Sequence, residues 1–240
     1  MAILANTVYQ RVLAIANKEQ RGYITPQEYN LLATQAQLLI FEQYFHDLDK
    51  ALKIHGNSSE YSDRIDILTE KIAPFERYNV DMSAVSGSLM TLPTSATIHK
   101  LGTVFYNDST SSKKVERIDA KDAEMLQQTA LYASTQRRPV YVRRSATVLQ
   151  FYPGSASPAY STSTVNCNFV VKPTTPAWGY TVVNNQALYD STTSTNFELQ
   201  ASEETELVYK ILELAGITLN KPGLVQIADK EDTVLTAQKK

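Results

Sequence analysis

NKEQRGYITPQEYNLLATQAQLLIFEQYFHDL, residues Asn17 to Leu48, is the stretch on which the reading of the fold turns. Thr25 and Glu28 have capping-box spacing: the threonine hydroxyl can accept the Glu28 amide, and the glutamate can accept the Thr25 amide. Pro26 falls at the first helical position, where its missing N–H costs nothing, and Ile24 and Tyr29 are placed as a hydrophobic staple. Beyond the cap, Tyr29, Ala33, Ala36, Ile40, Tyr44, Leu48 and Leu52 recur at helical spacing up to a stop at Gly56. This predicts a helix roughly 45 Å long, more than a small domain is wide, so it must lie along a neighbour. Leu32, Leu39, Phe41 and Phe45 widen the apolar stripe, so more than one flank is expected to meet a neighbour, in this chain or in another copy.

Upstream, Thr7 and Gln10 form a second capping box, and Leu4, Val8, Val12, Ile15 and Ala16 make a helical stripe ending near Gly22. A tight corner at Arg21 to Thr25 then predicts an αα-hairpin. Ser59 caps a third helix carrying Tyr61, Ile65, Leu68 and Ile72, which ends before Pro74. After Pro74 the period shortens. Ala84 to Leu92, Ile98 to Tyr106 and Lys113 to Ile118 read as strands, the last two joined as a hairpin through Asn107 to Ser112. Asp119 opens a helix from Ala120 to about Ala133, with Ala123, Leu126 and Ala130 on its buried side. Val140 to Arg144, Thr147 to Tyr152, Val165 to Lys172 and Ala177 to Val183 continue the strands, with a Ser/Pro-rich loop at Pro153 to Ser163.

Ser202, Glu203 and Glu204 open a last helix whose acidic first turn suits the helix dipole. Leu207, Val208, Ile211, Leu214 and Ala215 form its buried face and Gly216 its stop. The expected fold class is therefore α+β. A long-helix αα-hairpin or bundle occupies 1–73, an antiparallel β-rich region with one inserted helix (about 119–133) occupies 74–201, and a C-terminal helix with an extended docking arm occupies 202–240.

Composition narrows the function classes. Lys and Arg total 23 against 25 Asp and Glu in 240 residues, so any electropositive surface must be local. The single cysteine, Cys167, excludes an internal disulfide and offers no zinc or iron–sulfur cluster, which fits assembly in a reducing cytoplasm. No stretch has the apolar length of a membrane span, and Met1 to Gln10 lacks the features of a secretory leader. With eight glycines in the chain and many Thr, Ser, Tyr and Asn residues between 90 and 200, polar-faced antiparallel strands are expected rather than a nucleotide-binding sheet.

Catalytic signatures are missing from the sequence. His46, His55 and His99 do not have metal-ligand spacing, and a calcium loop read from Asp47 fails with Leu52 at its glycine position and Ser58 at its glutamate position. There is no GxSxG, GxxxxGK[ST] or GxGxxG. No enzymatic activity and no cofactor are expected, although a carboxylate pair of a hydrolase could not be recognised from spacing. The strongest charge feature is Arg137, Arg138, Arg143 and Arg144 around Pro139 to Val142. These arginines can face phosphate or an acidic partner, or simply solvate and protect a strand edge.

NKEQRGYITPQEYNLLATQAQLLIFEQYF, Asn17 to Phe45, resembles a segment of virion structural proteins of tailed bacteriophages, especially the short-tailed crAss-like group and its marine relatives. FELQASEETELVYKILELAGITLNKPGLVQ, Phe197 to Gln226, is similar to the ending of those proteins. The middle resembles them more loosely, in the order of RRPVYVRR, TVLQFYP and NFVVKPTTP. The resemblance implies a head-to-tail connector in the virion neck: an adaptor or ring protein beneath the portal, assembled in the host cytoplasm. It implies a homo-oligomeric ring of twelve copies, with the portal protein and an adjacent tail or neck ring as partners and transient contact with passing genomic DNA. In that setting Leu32, Leu39, Phe41 and Phe45 are expected at the subunit interface, and Arg137, Arg138, Arg143 and Arg144 at the DNA channel or an acidic partner. The alternative is a nucleic-acid-binding module using the Arg137–Arg144 hairpin.

Overall fold

The computed structural model describes residues 3–18, 24–53, 59–94, 97–108, 111–129, 131–135, 137–152, 165–218, 230 and 233–234. The expected corner at Arg21, the stops at Gly22 and Gly56, the Pro153–Ser163 loop, the burial of Ala130 and most of the C-terminal arm lie outside these residues.

In chain order the elements are α1 (Ala5–Lys18), α2 (Pro26–Lys53), α3 (Ser59–Ile72), β1 (Glu76–Asp81), β2 (Ser83–Ser86), β3 (Leu89–Thr91), β4 (Ile98–Asp108), β5 (Ser111–Arg117), α4 (Ala120–Gln128), β6 (Val140–Arg143), β7 (Val148–Tyr152), β8 (Val165–Val171), β9 (Tyr180–Val183), β10 (Gln186–Tyr189) and α5 (Glu204–Thr218). The class is α+β, with N-terminal helices, a central curled eight-stranded sheet and a C-terminal helix. Two compact units result: a helical one from residues 1–74 and 173–240, and a strand one from 75–172.

In the helical unit the cap of α2 is built as its sequence predicts. Thr25 N–H donates to Glu28 Oε2 at 2.9 Å, and Glu28 N–H donates to Thr25 Oγ1 at 3.3 Å. Ile24 and Tyr29 are both buried, as a staple requires. The start of α1 differs from expectation. It begins at Ala5, two residues before Thr7, and the Ala5 N–H donates to Asn196 Oδ1 at 3.1 Å, so a residue 191 positions away supplies the cap. The closest helix packing joins α2 to α3 and α5, and α1 to α5. The last helix therefore completes the N-terminal bundle, while α1 and α2 meet directly through the edge-to-face rings of Tyr9 and Tyr29, 4.8 Å apart. α5 passes through Gly216 and ends at Thr218, so this glycine does not stop the helix.

Residues 173–201, grouped by pattern with the strands, pack within the helical unit instead. Two amides seven positions apart on α2 peg them there. Asn30 accepts the Trp178 N–H at 2.8 Å and donates to its carbonyl at 3.3 Å, and Gln37 donates to the Thr174 carbonyl at 2.8 Å. Trp178 then lies 4.2 Å from the Tyr9 ring and donates Nε1–H to Asn6 Oδ1 at 3.0 Å. β9 and β10 form a separate two-stranded hairpin whose turn, Asn184–Asn185, has both residues at positive φ. Two-residue loops of this kind match the right-handed twist of the flanking strands.

The strand order in the other unit is β1-β8-β4-β5-β6-β7-β3-β2. Its two ends are consecutive pieces of chain, since only the fully buried Met82 separates β1 from β2; the sheet curls until one bent strand serves both ends. Bulges explain the curvature. Asn168 of β8 lies opposite an extra residue on each flanking strand, at Tyr78–Asn79 of β1 and at Gly102–Thr103 of β4. Asn79 adopts φ 54° and donates its N–H to Asn168 Oδ1 at 2.8 Å, while a Cβ on Gly102 would sit 3.0 Å from the Asn168 carbonyl oxygen. The concave side collects Met82, Met90, Val104, Tyr106, Val115, Leu149, Phe151, Val165, Cys167 and Phe169.

The expected run Ala84 to Leu92 is two short strands hinged at Gly87, which has φ 55°. All described pairings are antiparallel except β5 with β6, where Glu116 opposes Val140 and Arg117 opposes Tyr141. A parallel pair needs a crossover, and α4 supplies it, packed on β6 with Ala123 buried. α4 is shorter than the predicted span to Ala133, because Thr129 is already extended at φ −111° and ψ 113°.

Candidate functional site

On α2 the rows that face inward carry Tyr29, Ala33, Ala36, Gln37, Ile40, Phe41 and Tyr44. At 3.6 residues per turn the opposite side presents Leu31, Leu38, Glu42, Phe45 and Asp49, with Leu39 and Leu52 on its flanks. Leu31, Leu39 and Leu52 are 72%, 40% and 61% exposed, while Leu32, Leu38 and Phe45 are half-buried. Leu31, Leu38 and Phe45 run along this side together with the charged Glu42 and Asp49, and the exposed leucines mark a surface suited to being covered. Of the four expected interface residues, Phe41 does not belong to it. At 1% exposure it lies in the chain's own core, since its position flanks the inward row between Gln37 and Tyr44, and it meets Phe45 edge-to-face at 5.0 Å. Leu31, the most exposed leucine of α2, was missed; its spacing of one heptad before Leu38 is the signal that finds it.

The β9–β10 hairpin is a second apolar surface in the same unit. Val182, Val183, Leu188 and Tyr189 are all exposed, on both of its faces. Tyr180 stacks on Trp178 at 5.7 Å and the tilted ring of Tyr189 lies 5.9 Å from it, which anchors the base of the hairpin. A two-stranded ribbon is marginal by itself, and among the described residues neither of its strands pairs with a third. The sequence VVNNQAL carries the hairpin signal in its Asn-Asn pair.

The four arginines 137, 138, 143 and 144 do not form one stripe. Arg138 lies 3.6 Å from Glu116, both exposed. Arg144 donates to Gln150 Oε1 and lines a depression beside the Ser86–Leu89 turn. Arg143 donates Nε and Nη2 to the carbonyls of Ser145 and Ala146, at 3.2 and 2.8 Å. It shares a cavity of about 250 Å³ with Arg117, Tyr141 and Ile98–Leu101. Arg137 is exposed.

Titratable groups in the interior have structural assignments. Lys71 Nζ lies 2.6 Å from Glu203 Oε1, where the lysine side chain is 12% exposed and the glutamate 0%. The same ammonium sits 5.8 Å from the Tyr44 ring centre, so the cluster ties α2, α3 and the turn before α5. Burial first, and then Glu203 and Glu206, push the Tyr44 phenol well above its ordinary value, and its hydroxyl has no hydrogen-bond partner among the described residues. Burial pushes the Cys167 thiol up to about 11, which suits a small core residue rather than a nucleophile. His46 lies 3.7 Å from Asp47, and among the described residues no three His, Cys, Asp or Glu side chains gather as a metal-binding group. No described helix is long and apolar enough to cross a membrane.

No protein-family model matches this chain, and no curated protein matches it significantly in sequence.

Proposed function

We propose that the chain is a ring-forming connector subunit of a short-tailed phage neck, stacked between the portal and the next ring of the tail and extending the channel through which DNA leaves. The supporting observation is the exposed apolar row of α2, Leu31 and Leu39 above all, on a helix whose other side is already satisfied by the chain's own core. A closed ring needs two different patches on each subunit, because a head-to-tail contact joins unlike surfaces. The α2 row and the β9–β10 hairpin are two such patches. The resemblance of Asn17 to Phe45 and Phe197 to Gln226 to crAss-like phage virion proteins supplies the setting, and with it a twelve-fold ring following the portal.

Function in this proposal is mechanical: the subunit repeats a helical wedge around an axis and offers docking surfaces above and below. The nucleic-acid reading is less well supported, since the four arginines on which it rests are divided among separate surroundings. A Leu31→Asp/Leu39→Asp variant tests the proposal by sedimentation. Burying a leucine contributes about 1.5–3 kcal/mol, so the double variant should lose the ring while keeping wild-type circular dichroism. Unchanged assembly with both aspartates present would refute the role given to α2.

A further inference from the structure

The cavity shared by Arg117 and Arg143 sits at one end of the curled sheet, and the topology explains why two cations meet there. β5 and β6 run parallel, so their carboxyl ends lie together, and the start of β4 lies beside them because β4 is antiparallel to β5. Side chains two apart on a strand share a face. Val115 and Tyr141 are in the concave core, and Arg117 and Arg143 follow each of them by two residues. Both guanidinium groups therefore stand on core-facing rows at the mouth of the sheet, next to the Tyr141 phenol. Lys100 and His99 line the same space, and Ile98 and Leu101 give it an apolar wall.

None of the described lining residues is acidic, and neither Arg117 nor Arg143 forms an ion pair with another described residue. The two bonds from Arg143 to the Ser145 and Ala146 carbonyls use two of its five N–H donors and fix the direction of its side chain. Tyr141 responds electrostatically to both arginines, which act against the upward push of burial on its phenol. Two guanidinium groups with no acidic side chain among the described lining residues demand more negative charge than one carboxylate carries. A phosphodiester backbone also carries one charge per group and tracks a groove rather than filling a single cavity.

The geometry points to a site for one terminal phosphate group, free or as a small monoester, held by Arg117 and Arg143 with the Tyr141 hydroxyl as a neutral donor. Guanidinium forks match phosphate oxygens in pairs, which a lysine cannot do, so the two arginines set the affinity. The site lies wholly within the strand unit and is independent of the assembly role proposed above.

Calorimetric titration of the full chain with inorganic phosphate, a nucleoside monophosphate, acetate and a short duplex DNA tests the assignment. One equivalent of phosphate or monophosphate should bind at millimolar concentration or better, and which of the two binds more tightly identifies the source of the group. Arg117→Gln and Arg143→Gln should each weaken binding by roughly tenfold, a charge-assisted hydrogen bond being worth ~1.5–3 kcal/mol. Arg138→Gln, outside the cavity, should leave it unchanged. The assignment is overturned if phosphate does not bind, if Arg117→Gln binds it as the wild type does, if acetate binds as tightly, or if only the DNA binds. Circular dichroism of each variant separates loss of the site from loss of the fold.

Discussion

Replacing Lys71 by methionine keeps the aliphatic stem and removes the ammonium that lies 2.6 Å from Glu203. Glu203 has no exposed surface and the lysine nitrogen is 2.6 Å away, so the variant leaves a buried carboxylate charge without the lysine that offsets it, beside a second buried acid, Glu206. Breaking a buried pair from one side costs about 3–5 kcal/mol, against 0–1 kcal/mol for an exposed pair such as Arg138–Glu116. A domain has only ~5–15 kcal/mol in total, so the loss is a large share of the stability of the helical unit. Trp178 is the single tryptophan of the chain and packs in that unit, so its fluorescence follows the unfolding of this part directly. With a urea slope of about 2 kcal/mol per molar, the midpoint should fall by roughly 1.5–2.5 M. Adding Glu203→Gln to Lys71→Met should restore part of it, because the stranded charge is gone. A midpoint shift worth less than about 1 kcal/mol would show that the pair behaves as a solvated one and would refute the reasoning.

The buried phenols make alkaline stability a second test. Tyr29 and Tyr44 are both held above their ordinary value, chiefly by burial, so their contribution is complete below about pH 10 and is lost as the pH rises beyond it. Tyr44→Phe removes a buried hydroxyl with no partner and should be neutral or stabilising by up to ~1 kcal/mol, whereas Tyr29→Phe loses the 3.2 Å bond to the Ala5 carbonyl and should cost about 1 kcal/mol. Urea titrations at neutral pH and at alkaline pH read both effects, and equal shifts for the two variants would count against the assignment. Gly179→Ala should destabilise the helical unit by about 1–3 kcal/mol and alter Trp178 emission, since the added Cβ would fall 2.6 Å from the Thr193 carbonyl carbon and 2.7 Å from the Ser194 nitrogen. A fully native emission spectrum would contradict that close packing.

What the sequence made legible was local chemistry. Thr25, Pro26 and Glu28 start α2 through contacts within one turn, and Val140 to Tyr152 forms its hairpin through adjacent strands. Features that depend on distant partners were not legible. The cap of α1 comes from Asn196, so the nearer Thr7 misleads, and residues 173–201 join the helices because Asn30 and Gln37 reach for them. The pairing of β5 with β6 follows from a crossover, and without it nothing brings Arg117 beside Arg143. Leu39 was readable as an outer position, yet Phe41 reads equally well on either side of the stripe until the neighbours of α2 are known.

Mass and shape of the purified full chain, with and without the portal protein that the proposal assigns as its partner, test the connector proposal most directly. Native mass spectrometry with negative-stain imaging should find closed rings, alone or seated on the portal. A chain that stays monomeric at high concentration and ignores the portal would contradict it.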